Sequence, residues 1–473
     1  MKLAKRLYLL VIFLTLTVSV SADNVYADHS VLSSGRWVKI RVASEGVYQL
    51  TPSALSGMGF NNPASVRLFG YNLPILPEAN IEDISDDLTE IPLWRRGDGS
   101  LLFYSCGTIQ WKRTTSDNFL FTHKNNPYSN YIYYFLTEGT PATFNTESPL
   151  TTPTHTTTTF PEHTLIDNDE MSIINAGRTF FENYKFANSS KTYALSTPGN
   201  SDGTVYLNIQ FASTGASTLT VSANGNTLTT ANFTTPAQYH SANVSNQSTT
   251  LLNNYSDVAN ITLNQSASST TTNGYLDFIR ANYTRNLNIS GLNYLPFRTK
   301  DDYNYTVIIS GADSNTKVWR VTTPALTCEQ EGALSGTDYV ANLTNDGGDE
   351  YVAVNVSAGF PAPEYVSEVA NQDLHSCKDI ELVIIVPENN RYTAQAQLLA
   401  DAHKAKEGMK CLVVRADQIY NEFSSGTPDA TAYRRFMKML YDRAQSDDSI
   451  SMPRNLMLFG ACYWDNRLIT PAM

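Results

Sequence analysis

Alternating hydrophobic and polar residues predict that most of this chain consists of β-strands. In TVYLNIQFAS, apolar residues occupy every second position from Val205 to Phe211, which is typical of a strand with one buried face. RWVKIRV, LLFYSCG and YIYYFLT are similar strand-like stretches earlier in the chain. STLTVSANGNTL contains Asn224-Gly225, a dipeptide that favours a tight hairpin turn. Short strands at this spacing predict sandwich-like β-domains.

The pattern changes near residue 371. IELVIIVP is a continuous apolar run and predicts a strand that is buried on both faces, and KCLVVRA and NLMLFG predict two more. A helix that ends at Gly408 and a helix that begins at Thr427-Pro428 are predicted between them. This β-α-β-α-β order predicts a parallel sheet.

The second of these helices has a clear amphipathic pattern. Its charged positions are expected to face water, and its apolar positions are expected to be buried. The predicted water-facing residues are Arg434, Arg435, Lys438 and Asp442, and the predicted buried stripe is Tyr433, Phe436, Met437, Leu440, Tyr441 and Ala444.

These patterns divide the chain into three parts after a leader. We predict an N-terminal β-rich domain at residues 30–160, a β-sandwich domain at 164–370, and the incomplete start of an α/β domain at 371–473. The Thr- and Pro-rich residues 146–163 are predicted to be a linker. The fold class is therefore mostly β, followed by α/β with a parallel sheet.

The first 22 residues predict a secretory signal peptide. A basic start at Lys2, Lys5 and Arg6 precedes an apolar run and the small residues before Asp23. Cleavage after Ala27 is a second possibility. A membrane anchor is the alternative, but the apolar run is short for a spanning helix.

Composition excludes some classes of function. The chain has 473 residues, a net charge of −12 and no basic cluster after its start, so nucleic acid is not an expected partner. Only 16% of residues are charged, and neutral polar residues are abundant, as in secreted and cell-surface β-proteins. Its five cysteines are odd in number and widely spaced, which fits neither a disulfide framework nor a zinc site.

One acidic run, Asp167-Asn168-Asp169-Glu170, has side chains of the type that bind Ca²⁺. An exposed acidic turn is the favoured interpretation, because such turns are common on protein surfaces. The sequence therefore predicts neither a metal site nor a cofactor.

Several stretches together resemble one family. GVYQLTPSALSGMGF, VRLFGYN and the run from LLFYSCGTIQW to YSNYIYYFLT resemble the N-terminal region of the gingipain-like sortases of the type IX secretion system. NAGRTFFENYKF and VWRVTTP resemble their middle β-region, and DIELVIIVP and NLMLFGACYWDNR resemble the opening of their cysteine peptidase domain. The stretch from Ile419 to Arg443 is the most specific part of the resemblance.

The resemblance implies a caspase-like α/β fold and a role outside the cytoplasm. Sortases of this family remove C-terminal sorting domains from secreted cargo and attach the cargo to the cell surface. The implied partners are such cargo proteins and an outer-membrane component of the secretion system. The implied location is the outer-membrane-associated cell surface or the periplasm of a Gram-negative bacterium.

The family's catalytic dyad is a His in a Gly-His-Gly turn and a later Cys, in which the thiolate attacks the scissile carbonyl. This sequence has no Gly-His-Gly, and only His375 and His403 lie after residue 371. Cys462 follows a buried strand but lies in the block before the family's dyad, so we interpret it as structural. We expect no catalytic residue in this chain, and we expect it to end before the catalytic half of its last domain.

Asp465 is the one candidate site residue. It follows the third predicted strand, at the carboxyl edge where parallel sheets hold ligand groups. We predict that it shapes a substrate pocket or orders a loop, and a loop-capping Asp is the plainer interpretation. With few elements to cover its strands, the segment after residue 371 is also expected to leave several apolar side chains wet.

A second function stays open from the sequence. The Asn-, Thr- and Ser-rich β-region is also typical of a secreted surface module that binds glycan or protein without catalysis. Whether the chain itself is an enzyme is left undecided at this point.

Overall fold

A computed structural model describes residues 26–79, 84–114, 121–149, 153–173, 177–299, 303–344 and 348–470. The predicted signal peptide lies outside these described residues. The chain is mostly β, and its last hundred residues form an α/β layer, which confirms the predicted fold class. Within the described residues, no helix is both long enough and apolar enough to cross a membrane.

The strands and helices are numbered in chain order. The first strands are β1 Trp37–Val42, β2 Glu45–Leu50, β3 Val66–Phe69, β4 Glu90–Ile91, β5 Trp94–Arg95, β6 Leu101–Cys106, β7 Ile109–Arg113, β8 Phe121–Asn125 and β9 Ile132–Glu138. The next are β10 Thr146–Glu147, β11 His155–Thr157, β12 Thr159–Asp167, β13 Ser190–Ser196, β14 Val205–Ser213, β15 Ser217–Ala223, β16 Asn226–Phe233, β17 Asn243–Leu251, β18 Val258–Ser266 and β19 Gly274–Asn286.

The remaining strands are β20 Tyr294–Arg298, β21 Tyr305–Ser310, β22 Thr316–Arg320, β23 Cys328–Gln330, β24 Gly332–Ser335, β25 Asp338–Leu343, β26 Glu350–Asn355, β27 Glu364–Val369, β28 Leu382–Val386, β29 Cys411–Arg415 and β30 Asn455–Leu458. The α-helices are α1 Pro52–Gly57, α2 Thr393–Glu407, α3 Ala416–Phe423 and α4 Thr431–Ser446. Short 3₁₀ helices lie at Val31–Ser33, Pro63–Ser65, Pro324–Leu326 and Leu374–Ser376.

The first strands form a two-sheet unit, called the N-terminal unit below. A sheet in the order β27-β1-β9-β3-β4 and a sheet in the order β2-β6-β5 enclose one hydrophobic core. Helix α1 begins as its sequence predicts, because Thr51 caps it by accepting a hydrogen bond from the Ala54 N–H and Pro52 follows at the first position. Strand β27 joins this unit from far along the chain by pairing with β1.

The middle strands surround two hydrophobic cores, whereas the sequence predicted a single sandwich. The sheets β12-β19-β14-β17 and β13-β18-β15-β16 enclose the first core, in which the alternating residues of β14 and β15 are buried as predicted. The sheets β10-β23-β22-β26-β20 and β11-β21-β25-β24 enclose the second. Alternation marks a one-sided strand but does not show which partner sheet covers it, so the pattern did not separate the two. The domain limits themselves stay predictions.

The predicted linker at residues 146–163 is wrong as a description of local structure. Strands β10 and β11 and the start of β12 lie there, and β10 and β11 pair in parallel with β23 and β21. Threonine is a favourable strand residue, and this preference outweighs the compositional signal of a linker.

The α/β segment has a three-stranded parallel sheet in the order β29-β28-β30. All five residues of β28 are buried, which the continuous apolar run predicted. Helix α2 ends before Gly408, whose φ of +68° is the left-handed conformation that favours glycine after a helix.

The start of the second predicted helix is wrong by a few residues. Helix α4 begins at Thr431, and the side chain of Asp429 accepts a hydrogen bond from the Thr431 N–H at 2.7 Å. Thr427 instead belongs to a turn in which Ser424 Oγ donates to the Thr427 carbonyl. Helix α3, which the sequence did not predict, lies just before this turn.

The two faces of α4 also differ from the prediction. Phe436, Leu440 and Ala444 are buried as expected, but Tyr441 is exposed and Met439 is buried instead. Arg434 and Arg435 do not simply face water, because they donate to backbone carbonyls of the N-terminal unit, at Pro77 and Ser85. Tertiary contact with that unit therefore sets the orientation of the helix.

The expectation of several wet apolar side chains in the α/β segment is wrong for β28. Its two faces contact α3 and α4 on one side and α2 on the other, so Val383 and Ile384 have no exposed surface. Large exposed apolar side chains on the sheet are those of Leu456 and Leu458 on the edge strand β30, with 44% and 50% of their surface accessible.

Candidate functional site

The carboxyl edge of the parallel sheet is the candidate site, because side chains after such strands converge there. After β30 the chain continues through Phe459, whose N–H donates to the Ile385 carbonyl, to the exposed Cys462. Among the described residues, no histidine makes a hydrogen bond to Cys462. A cysteine without a basic partner is a poor nucleophile at neutral pH.

Asp465 is fully buried in the loop that follows β30. Its Oδ2 accepts a hydrogen bond from the Thr470 N–H at 2.6 Å, and its carbonyl accepts one from the Leu468 N–H. Its Oδ1 is buried and has no hydrogen-bond partner among the described residues. This geometry closes the turn between residues 465 and 470. Both roles predicted for Asp465, in substrate binding and in loop ordering, stay predictions.

The same loop lies against the β-domains. A Cβ added to Gly177 would come within 1.8 Å of the Trp464 carbonyl, so only glycine fits at this contact. The Arg467 side chain donates to Asn130 at 2.8 Å and to the carboxylate of Asp169. The loop at the edge of the parallel sheet is thus held both by the N-terminal unit and by the pair of sheets around the first middle core, which contains β12 to β19 and is called the first sandwich below.

A buried His–carboxylate pair joins the 3₁₀ helix Leu374–Ser376 to α3. Glu422, near the end of α3, has no exposed surface and accepts hydrogen bonds from His375 Nδ1 at 2.6 Å and from the Leu374 and His375 N–H groups. His375 Nε2 lies 3.4 Å from Asp86 of the N-terminal unit. Burial opposes the charged imidazolium, but the carboxylates of Asp86 and Glu422 outweigh burial and raise the pKa of His375 to about 10.

A partly buried lysine joins the N-terminal unit to the turn after α3. Lys39 of β1 donates to Asn421 Oδ1 at 3.1 Å and to the Gly426 carbonyl at 2.8 Å. Burial lowers the pKa of Lys39 to about 8. Nearby, Ser425 Oγ donates to the Tyr133 carbonyl at 3.0 Å. The α/β segment is therefore fixed to the first sheet by polar contacts as well as by its own core.

The sequence did not single out Lys39, Glu422 or His375 as a linked group. His375 and Glu422 are 47 residues apart, and Lys39 is more than 300 residues from either. A strand pattern with one Lys, or a helix with one Glu, ordinarily places these side chains in water. A polar residue at a position that the fold covers would have been the signal. A single sequence does not show which positions the fold covers, so this signal could not be used.

The acidic run at residues 167–170 is only partly the exposed turn that the sequence favoured, because Asn168 and Glu170 are exposed but Asp167 and Asp169 are covered. The side chain of Asp167 is only 6% exposed and that of Asp169 only 10%, because the end of β12 packs on β19 and is covered by Asn125 and Arg467. With Asp277 these residues form a cluster of three carboxylates.

Residues 375–472 match the family model described as Peptidase family C25. The fold is similar to that of dimeric latent PorU from Porphyromonas gingivalis, with a TM-score of 0.83 and 27% sequence identity. That similarity covers 94% of this chain and 43% of latent PorU, so this chain spans less than half of that protein's length.

Two further solved structures show much weaker similarity. A carbohydrate-binding module of class CBM36 has 21% identity over 20% of this chain and 76% of its own, with a TM-score of 0.16. An uncharacterized protein from Listeria monocytogenes has 12% identity over 53% of this chain and 19% of its own, with a TM-score of 0.19. No curated protein matches the chain.

Proposed function

We propose that this chain, whose residues 375–472 match the model of Peptidase family C25, forms the N-terminal part of a type IX secretion sortase. The observation that carries the proposal is the similarity to latent PorU over nearly the whole chain, which includes the β-domains as well as the α/β segment. Family C25 alone would leave open many secreted peptidases. A shared arrangement of β-domains ahead of the peptidase segment favours the sortase among them.

The proposed reaction has two stages. A cysteine thiolate attacks the carbonyl that joins cargo to its C-terminal sorting domain, a histidine protonates the leaving amine, and a thioester forms. Water or an amine on the cell surface then attacks the thioester, which releases the cargo or attaches it. Cargo proteins, an outer-membrane component of the secretion system and a cell-surface location are parts of this same proposal.

We infer that this chain does not supply the catalytic dyad. The sequence has no Gly-His-Gly, Cys462 has no histidine partner among the described residues, and His375 is committed to Glu422 inside the protein. The role proposed here for residues 375–472 is structural, because they form the first layer of the peptidase fold and fix it to the β-domains. The chain alone is expected to show no peptidase turnover.

Deletion of the gene in the bacterium that encodes it tests the proposed function. Secreted proteins with C-terminal sorting domains are expected to keep those domains, and intact-mass spectrometry of the cell-surface and medium fractions measures this directly. The matched control is a deletion strain that carries the intact gene on a plasmid.

Two results would contradict the proposal. Normal removal of sorting domains in the deletion strain would exclude a sortase role. Normal processing combined with loss of binding to glycan or to a surface protein would instead favour the non-catalytic surface module.

A further inference from the structure

Three carboxylates converge where the first sandwich meets the N-terminal unit. Asp167 ends β12, Asp169 follows it, and Asp277 lies on the adjacent strand β19. One oxygen of each lies within 4.8 Å of the others. The first two residues line a cavity of about 430 Å³ that Asn125 and Arg467 also line.

The cluster contains a buried carboxylate oxygen that accepts no hydrogen bond from a described residue. Asp167 Oδ2 accepts from Asn125 Nδ2 at 2.9 Å and contacts His123 Nε2 at 3.2 Å, but Asp167 Oδ1 is buried and has no hydrogen-bond partner among the described residues. The same holds for Asn125 Oδ1. A buried polar atom without a partner is uncommon, and a bound water or ion explains it.

Positive groups around the cluster offset only part of its charge. Arg467 pairs with Asp169, and Arg280 contacts His123 at 2.9 Å rather than a carboxylate. Burial, followed by repulsion from Asp167, raises the pKa of Asp277 to about 7, and burial raises the pKa of Asp169 as well. Burial and mutual repulsion therefore disfavour three charged carboxylates at this position unless a cation lies among them.

We propose that Asp167, Asp169 and Asp277 bind a divalent cation of the calcium type, with the amide oxygen of Asn125 as a further ligand. Carboxylate and amide oxygens are the ligands that calcium prefers, and an adjoining cavity leaves room for water to complete its coordination. Both nitrogens of His123 already face other groups, Asp167 and Arg280, which disfavours a zinc site.

This site would link parts of the chain that are distant in sequence. Asn125 belongs to β8 of the first part of the chain, Asp167 and Asp277 belong to the first sandwich, and Arg467 brings the loop after β30 to Asp169. A bound cation would hold these parts together. The inference does not depend on the proposed sortase function, because it concerns binding and stability alone.

Calcium binding to the purified chain tests the site. After treatment with EDTA and dialysis, calcium chloride is titrated into the protein by calorimetry, and the melting temperature is measured with and without the ion. We expect one site per chain and a rise in melting temperature of several degrees at saturating calcium, because a ligand that binds only the folded state stabilises it.

Asp277→Asn is the informative variant. The substitution removes the charge of one ligand. It keeps an oxygen that can accept the hydrogen bond from Gln210, which donates to Asp277 at 2.5 Å in the wild type. Without a cation, the variant is therefore expected to fold at least as stably as the wild type. We expect at least a tenfold loss of calcium affinity. Asp338→Asn is the matched control. Asp338 lies on β25, in the pair of sheets around the second middle core, and this variant should keep the wild-type affinity.

Two outcomes would overturn the proposal. One is the absence of binding by calcium, magnesium and manganese at millimolar concentration. The other is an equal affinity in wild type, Asp277→Asn and Asp167→Asn, which would place the ion elsewhere.

Discussion

At the scale of single residues, a buried ion pair in the α/β segment contacts the N-terminal unit. Glu422 and His375 have no exposed surface, and Asp86 of the N-terminal unit completes the group. A buried pair of this type contributes little when compared with an apolar pair, but removal of one partner leaves a charge without compensation. We therefore expect the histidine to matter for stability.

Replacement of His375 by Gln should destabilise the folded chain by about 3–5 kcal/mol near pH 6. The folded-state pKa of about 10 lies above the ordinary value of 6.5, so the stabilisation is complete below pH 6.5 and is lost as pH rises through 10. Urea unfolding at pH 6, 7.5 and 9 measures the difference between variant and wild type, which should shrink as pH rises.

His403→Gln is the control for this prediction. His403 lies on α2 and pairs with the exposed Glu407 in the same helix, so its replacement should change stability by less than about 0.5 kcal/mol. A loss of stability in His375→Gln that is the same at every pH would contradict a charged histidine and would indicate a packing role instead.

At the scale of elements, the hydrophobic pattern predicted the strands whose burial follows directly from the residues along them. Alternation in β14 and the unbroken apolar run of β28 gave the correct strands and the correct parallel order, because burial of one face or both faces decides these patterns. The pattern missed α3, a short helix whose buried residues include Asn421 and Glu422. It also missed the start of α4, which lies at Thr431, where the Asp429 side chain accepts from the Thr431 N–H.

The candidate site was less predictable, because distant residues build it. Asp465 could be singled out from its place after an apolar run, but the partners of its loop, Gly177 and Asp169, lie about 300 residues earlier. Asp167 was misjudged for a related reason. A four-residue polar run is usually exposed, and only the covering groups from β8 and from the loop after β30 show that Asp167 and Asp169 are covered here.

Limited proteolysis measures how firmly the α/β segment is held. Because α3 and α4 pack on β28 and bind the N-terminal unit, residues 371–446 should be protected along with the β-domains. The first cleavage in the α/β segment should fall in the exposed connection around Arg454. Mass spectrometry of the fragments identifies each cut.

A protected fragment that ends near residue 370 would contradict this expectation. It would show that the α/β segment opens independently and that the polar contacts from Lys39 and Ser425 do not stabilise it. His375→Gln provides a comparison, because the weakened contact with the N-terminal unit should make cleavage after residue 370 faster.

At the scale of the whole molecule, Tyr26 and Ala27 are tied to helix α4. Tyr26 donates to Asp442 of α4 at 2.5 Å, and Arg443 donates to the Ala27 carbonyl at 2.7 Å. The Ala27 N–H donates to Asp86 at 2.8 Å. Removal of residues up to Ala27 would lose these contacts, so of the two predicted cleavage sites the structure favours the one before Asp23.

The exported protein should therefore begin at Asp23. N-terminal sequencing of protein recovered from the periplasm of a bacterial host measures this, with an Ala22→Leu variant as the control that should slow cleavage. A start at Asp28 would show that the contacts of Tyr26 and Ala27 are dispensable, and retention of Met1 in membranes would favour an anchor.

The proposal that this chain is part of a type IX sortase is tested most directly by sequencing the coding DNA downstream of codon 473 in the source bacterium and in related strains. We predict an open reading frame that continues in frame through a Gly-His-Gly turn and then a cysteine that follows a predicted buried strand. A stop codon directly after codon 473 in all of these strains would contradict the proposal and favour a non-catalytic surface module.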